Sequence, residues 1–154
     1  MFEIFQVLII SMSPIVELRG AIPFAVAVYG FAPWTAFFLA VAGNIVPPLL
    51  LIPFIGRVDA FFSLKSELWR RHFTKILEKT RNNHSKKFEI LKEFALVILV
   101  AIPLPFTGAW TASLAAYVFG IPFRKAVPLI LIGLIIAGVI VTLATLGFIA
   151  IFSI

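Results

Sequence analysis

Apolar residues dominate this chain in long blocks, and polar residues break the pattern at a few fixed places. The run from Thr35 to Gly56 is long enough to cross a bilayer as a helix, which takes about 20 residues, and Pro47-Pro48 predicts a kink within it. A second span is predicted over Ala126–Phe152, where Gly133, Gly138 and Gly147 mark points of close helix approach. Between the two, Val58–Arg81 has helical periodicity. Phe61, Phe62, Leu68, Trp69, Phe73, Ile76 and Leu77 share one face, with Arg70, Arg71, Lys75 and Lys79 on others. That pattern predicts an amphipathic helix on the membrane surface. Asn82-Asn83-His84-Ser85 would end it, and a short helix over Lys86–Glu93 would return the chain to the membrane.

The other two apolar stretches, 2–31 and 95–121, are interrupted by proline-bearing polar strings. The first reads Ser13-Pro14-Ile15-Val16-Glu17-Leu18-Arg19-Gly20-Ala21-Ile22-Pro23 and the second Pro103-Leu104-Pro105-Phe106-Thr107-Gly108-Ala109-Trp110-Thr111. Sliding one onto the other aligns Gly20 with Gly108, Ala21 with Ala109, Ala27 with Ala115 and Tyr29 with Tyr117, and sets Arg19 against Thr107. Each stretch reads as a re-entrant helical hairpin. An arm over Ala95–Ile102 would rise about 12 Å and one over Ala109–Gly120 about 18 Å, against a hydrocarbon core about 30 Å thick. A hairpin also leaves Arg124 and Lys125 on the same side as the central basic segment.

The expected fold is therefore an all-α integral membrane protein forming one domain over 1–154. It consists of an inverted repeat of re-entrant hairpin plus span, joined by a cytoplasmic amphipathic linker. The first repeat covers 1–56, with hairpin 2–31 and span 35–56. The linker covers 57–94. The second repeat covers 95–154, with hairpin 95–121 and span 126–152. Paired broken segments in corresponding halves point to a transport site.

Composition agrees with a lipid environment. The chain is 62% hydrophobic and only 13% charged, where soluble domains run near 45–50% and 25%. The net charge of +6 is concentrated, because ten of the 13 Lys and Arg lie between Arg57 and Lys92. A cytoplasmic loop explains that cluster without nucleic acid as a partner. Before Glu17 the sole charged side chain is the acidic Glu3, which argues against a signal peptide. With no cysteine, two histidines and no nucleotide loop or catalytic triad, neither an enzyme nor a metal or cofactor site is expected.

Candidate chemistry sits in the two breaks. Arg19 offers a permanent charge and a planar fork suited to phosphate or carboxylate, or alternatively neutralises Glu17 in a structural pair. The helices beginning near Gly20-Ala21 and Gly108-Ala109 would aim N–H groups at a shared pocket, as helix N-termini attract anions. Arg19, Gly20, Thr107, Gly108, Trp110 and Thr111 are the candidate substrate-binding residues. Glu17, the one acid expected deep in the membrane, is the candidate proton coupler. Thr107, Thr111 and Ser113 could equally satisfy broken backbone, Asn44 could bond across helices, and Phe24 and Phe106 could line the cavity or pack. Trp34 is expected to anchor an interface. His72 and His84 lack metal-ligand spacing.

The strings Glu17-Leu18-Arg19-Gly20-Ala21-Ile22-Pro23, Gly43-Asn44 and Pro103-Leu104-Pro105-Phe106-Thr107-Gly108-Ala109-Trp110 resemble the prokaryotic small multidrug export protein family over nearly the whole chain. The hairpin-plus-span plan is more distantly similar to the DedA family and its scramblase relatives with the VTT domain. That similarity implies proton-dependent transport of polyprenyl-phosphate lipids and puts Glu17 in the place of a first-hairpin acid. DedA members carry arginines around the second hairpin, where this chain has Thr107, so Arg19 and Arg124 are the available substitutes.

The leading expectation is a small multi-pass secondary transporter or lipid translocase of the inner, cytoplasmic membrane, moving an anionic amphiphile, with a homodimer expected from size. The alternatives are proton-driven export of hydrophobic cationic drugs with Glu17 as the binding acid, and a non-transporting membrane scaffold.

Overall fold

A computed structural model describes residues 1–65, 86–103 and 107–152. Their regular structure is entirely helical: α1 Phe2–Met12, α2 Glu17–Ala27, α3 Pro33–Asn44, α4 Val46–Lys65, α5 Lys86–Ala101, α6 Ala109–Phe119 and α7 Phe123–Phe152.

Prolines and glycines set most boundaries. The extended backbone of Ser13 ends α1, as expected of a residue before proline. The Ser13 hydroxyl donates to the Ile10 carbonyl at 2.8 Å and accepts from the Val16 N–H at 3.2 Å, so the turn satisfies its own polar groups. The Glu17 N–H then reaches the Ser13 carbonyl and starts α2 at Glu17, earlier than the expected start near Gly20-Ala21. Arg19 is therefore in the first turn of a helix rather than ahead of it. The turns after α2 and α6 both use a left-handed glycine, Gly30 at φ 65° and Gly120 at φ 69°, a conformation other residues adopt at a cost. Each chain end wraps back, Phe31 N–H to the Ala25 carbonyl and Ile121 N–H to the Ala116 carbonyl.

The first predicted span is met as two abutting helices. The break falls at Ile45, and Pro47 and Pro48 occupy the first turn of α4, where they withhold two N–H groups. The apolar window over Pro33–Phe61 is 29 residues long with mean hydropathy 2.1, and the second, Phe123–Ile151, reaches 2.8 over 29 residues. Both exceed the length a bilayer core requires. Large side chains such as Trp34, Phe38, Leu50, Leu143, Phe148 and Ile151 face outward, as they would toward lipid.

Two boundaries need correction. The expected surface helix from Val58 is not separate, since α4 runs unbroken through Gly56 and Arg57 to Lys65. The expected short helix Lys86–Glu93 and arm Ala95–Ile102 are one helix, α5, which rises about 24 Å rather than 12. The rest of the basic segment, including Asn82–Ser85, His72 and His84, lies outside the described residues.

Packing is tightest where side chains are smallest. Ala21, Ala25, Ala36, Ala40, Ala109, Ala112, Ala116 and Ala126 are all fully buried, which lets backbones approach. α1, α2 and α3 pack on one another, α2 and α3 also rest on α7, α5 lies along α7, and α6 lies against α4. Gly133 meets Val100, and Gly138 meets Phe37 and Val41, as expected of close approaches, whereas Gly147 faces open space. Helix, break, helix and turn precede a long apolar stretch in both halves, formed by the two abutting helices α3 and α4 in the first and by the single helix α7 in the second.

Candidate functional site

The two broken segments meet each other in the interior. Glu17 opens α2 at φ 52°, an uncommon conformation for a residue with a side chain. That conformation accompanies a long-range contact. The carboxylate lies over Gly108 and accepts hydrogen bonds from the backbone N–H groups of Ala109 and Trp110, the first residues of α6. A Cβ on Gly108 would stand 1.9 Å from Glu17 Oε2, so glycine there is what admits the carboxylate. An acid at a helix N-terminus satisfies orphan N–H groups and complements the helix dipole. The anion site expected at α6 thus holds an anion from the chain itself.

Arg19 completes the cluster. Its Nη2 stands 3.8 Å from Glu17 Oε2 and donates to Thr107 Oγ1 at 3.2 Å. Thr107 in turn donates to the Ile102 carbonyl at 3.0 Å, closing off the end of α5. Across the same junction the Trp110 indole donates to the Met12 carbonyl at 3.0 Å. The C-terminus of α1 is thus capped by the second segment, and the N-terminus of α6 by the first.

Asn44 braces the cluster from below. Fully buried at the end of α3, it donates from its amide nitrogen to the Ser11 carbonyl at 3.0 Å. Its amide oxygen accepts from the Leu18 N–H at 3.2 Å. Gly43 makes room for this, because a Cβ there would stand 1.9 Å from Ser11 Oγ and 2.8 Å from the Leu8 carbonyl oxygen.

The Glu17 side chain is 8% exposed, against 21% for Arg19. That difference has a structural origin. Arg19, Pro23 and Ala27 recur every four residues along α2 and form one wall of a cavity of about 520 Å³. Pro103 closes one side, and Ile140, Val141, Ala144, Thr145, Phe148 and Ile149 of α7 form the other wall. Of these lining residues only Arg19 is charged. The Thr145 hydroxyl is turned back onto the Val141 carbonyl at 2.7 Å, so that wall is effectively apolar. Pro23 also offers no N–H to the Arg19 carbonyl one turn earlier, which keeps backbone polarity at this end of the groove.

Glu17, Arg19, Thr107, Gly108 and Trp110 therefore come together at the junction of the two broken segments. Gly20 does not face the second segment; the space left by its missing side chain is taken by Val16. Thr111 is half-buried in the first turn of α6, and Ser113 donates to the Ala109 carbonyl at 2.6 Å, a backbone role. Phe24 packs edge-on against Tyr29 at 5.1 Å, and Phe106 lies outside the described residues. Sequence reasoning missed the α7 wall, although Ala144-Thr145 was a visible thinning within a run of large apolar residues. No group of three or more His, Cys, Asp or Glu residues that could hold a metal occurs among the described residues.

Comparison with known proteins agrees with the motif strings. Residues 17–140 match the family model described as "Putative small multi-drug export protein", and the chain belongs to that family. The family and the two long apolar helices together point to a membrane location. No curated protein and no solved structure matches the chain, so the more distant DedA and VTT similarity is without support.

Proposed function

We propose that this member of the small multi-drug export family is a multi-pass secondary transporter that moves an anionic amphiphile, with Arg19 as its anion contact. One observation carries the reading: among the described residues, a single guanidinium lines an otherwise apolar groove between α2 and α7. A charged head at Arg19 would keep its partner in a low-dielectric setting, where a bidentate guanidinium contact is strongest. The tail would lie along Pro23 and Ala27, about 12 Å of helix, against Ile140–Ile149. Thr107, Gly108 and Trp110 act in this scheme by holding Arg19 and Glu17, with Gly20 and Thr111 flanking them. A lipid phosphate is one such amphiphile; the groove specifies the charge pattern rather than the lipid.

Within the proposal the two broken segments are re-entrant, and the halves form an inverted repeat in the inner membrane. Two copies, with no nucleic acid partner and no catalytic step, complete the path. The packing of α1 on α2 across the short turn 13–16 supports a hairpin, and α1, at 11 residues, rises only about 16 Å. Glu17 serves as proton coupler by leaving and regaining the α6 N-terminus.

The test is flux of a fluorescent alkyl phosphate in vesicles containing the purified protein. Arg19→Gln should lower saturable flux at least about tenfold, the scale expected for loss of a partly buried charge contact, without lowering the unfolding temperature below the active range. Flux equal to wild type would remove Arg19 from the mechanism.

The family name favours a second reading, export of cationic drugs with Glu17 as the acid. Glu17 is engaged with Ala109, Trp110 and Arg19 and is absent from the groove lining, so this reading ranks second. Drug-stimulated proton flux that is lost in Glu17→Gln and kept in Arg19→Gln would reverse that order.

A further inference from the structure

α6 belongs to the second half of the chain, yet carboxylates of the first half hold it at both ends. Glu17 accepts from the N–H groups of Ala109 and Trp110 at its start. At its other end, about 12 Å along the axis, the Tyr117 hydroxyl donates to Asp59 Oδ2 of α4 at 2.5 Å. The Tyr117 ring lies over Gly56, about one turn before Asp59, where a Cβ would stand 3.7 Å from Cε2. α6 also packs more extensively on α4 than on α5 or α7 of its own half. The aligned tyrosine of the first half acts differently. Tyr29 donates to Gln6 of α1, within its own half, and α2 packs more on α1 and α3 than on α7. At another point the halves match: Gly43 and Gly133, each thirteen residues beyond a left-handed glycine, set their helices against the Leu8 and Val97 carbonyls of α1 and α5.

The two seams between the halves therefore differ. The groove of about 520 Å³ lies between α2 and α7, and its α7 residues stand about 25–39 Å along that helix from Phe123. The Tyr117–Asp59 bond bridges the α4–α6 seam at the opposite end of the molecule, where α7 begins and Lys125 donates to Glu93 at 2.7 Å. Beside this bridge is a second cavity, of about 390 Å³, lined in part by Ile52, Tyr117 and Phe119, which gives the tyrosine space to turn.

We propose that Tyr117 is a gating residue. Its bond to Asp59 keeps the α4–α6 seam shut at one end while the α2–α7 groove stands open toward the other, and its release lets α6 leave α4 as the groove closes. The inference rests on the transporter reading and adds a second access to the same Arg19 site. Both attachments of α6 are hydrogen bonds to single side chains, so they can be exchanged without unwinding the helix. A packed element with two discrete arrangements is what such a gate requires.

The chain has no cysteine, so Ile52→Cys can report the α4–α6 seam to an impermeant thiol reagent in sealed vesicles; Ile52 is 7% exposed and lines the cavity beside Tyr117. Tyr117→Phe keeps the ring and removes the donor. It should raise the labelling rate at Ile52→Cys about tenfold or more, the scale of one hydrogen bond to a carboxylate. Asp59→Asn, which keeps a neutral acceptor, should give a smaller rise. Ala144→Trp, a wedge in the distant groove, should return the Tyr117→Phe rate toward wild type, because coupling between the seams is reciprocal. Unchanged labelling in Tyr117→Phe would overturn the gate, and so would a rise that Ala144→Trp leaves intact, since that is local loosening. Alkyl phosphate flux separates the two readings. A wedge-sensitive rise without saturable flux keeps the two-state seam and removes transport, whereas Arg19-dependent flux with unchanged labelling keeps transport and removes the gate.

Discussion

Replacing Gly108 by alanine tests the central contact of the molecule. The Gly108 backbone has φ 163°, extended geometry that alanine adopts without strain, so any effect comes from the added methyl group. That group would stand 1.9 Å from Glu17 Oε2 and 2.5 Å from both Glu17 Cδ and Oε1. Glu17 would have to withdraw, breaking its bonds from the Ala109 and Trp110 N–H groups. Hydrogen bonds to a charged group contribute about 1.5–3 kcal/mol each, so losing two amounts to about 3–6 kcal/mol. For a chain of this size 1 kcal/mol corresponds to about 2–4 °C, which sets the drop in unfolding temperature at about 6–24 °C. The assay is thermal unfolding in detergent, with Gly147→Ala as the control, because nothing lies within 4 Å of a Cβ there and alanine favours a helix interior. Adding Glu17→Asp to Gly108→Ala shortens the acid by one methylene and should recover part of the loss. A Gly108→Ala protein that unfolds within about 0.5 kcal/mol of wild type, the range of inert surface changes, would refute the carboxylate cap.

Other positions give separate tests. Asn44→Leu keeps the volume but strands the Ser11 carbonyl and the Leu18 N–H, and should destabilise by about 2–6 kcal/mol in the same melt, at about 1–3 per buried orphan; a loss below about 1 kcal/mol would mean that other partners serve those groups. Trp110→Phe removes one indole donor from the Met12 carbonyl and should cost about 1–3 kcal/mol, with an unchanged melt counting against the cross-segment cap. Gly43→Ala meets the Leu8 backbone carbonyl at 2.8 Å, so Ser11→Ala should not rescue it; full rescue would show that the Ser11 hydroxyl alone sets the fit. Because the chain has no cysteine, single cysteines at Phe2 and Gly30 can be labelled with an impermeant thiol reagent on either side of sealed vesicles. Labelling of both from one side supports a re-entrant first segment, and labelling from opposite sides shows a crossing.

How much of the fold is legible in the sequence follows from how local each cause is. The span over α7 was legible because its hydropathy is continuous from Ala126 to Phe152. The break between α1 and α2 was legible because Ser13-Pro14 cannot continue a helix. Charge was a poorer guide to boundaries. The Lys and Glu residues of 86–93 suggested a separate short helix returning the chain to the membrane, yet α5 runs on through Phe94 with Lys92 almost completely buried. No breaker separates the two stretches, and helix continuity won over the change in polarity. The candidate residues were identified from their types, but their pairing was not. Glu17 could be singled out as a costly acid, whereas the N–H groups that receive it, on Ala109 and Trp110, come from the other half of the chain and have no local signature. The same holds for Trp110 and Met12.

The Arg19–Thr107 bond bears on how such a site could move. These residues are 88 positions apart, the same offset that aligns Gly20 with Gly108 and Tyr29 with Tyr117. If the halves are related by a two-fold axis, equivalent residues can touch only close to that axis, so the contact marks where it would pass. Rotation of one half against the other about that axis would displace residues beside it least while still changing their relative orientation. The directional contacts across the junction would therefore respond first: the fork of Arg19 on Thr107 and the two N–H bonds to Glu17. Releasing them would free a guanidinium at the end of the groove and an N-terminus on α6, two anion-attracting groups at once. In the structure both are satisfied internally, by Thr107 and by Glu17. An incoming anionic head would thus replace contacts the protein already makes with itself, and the free energy separating the closed and open arrangements would remain within the reach of a single ligand.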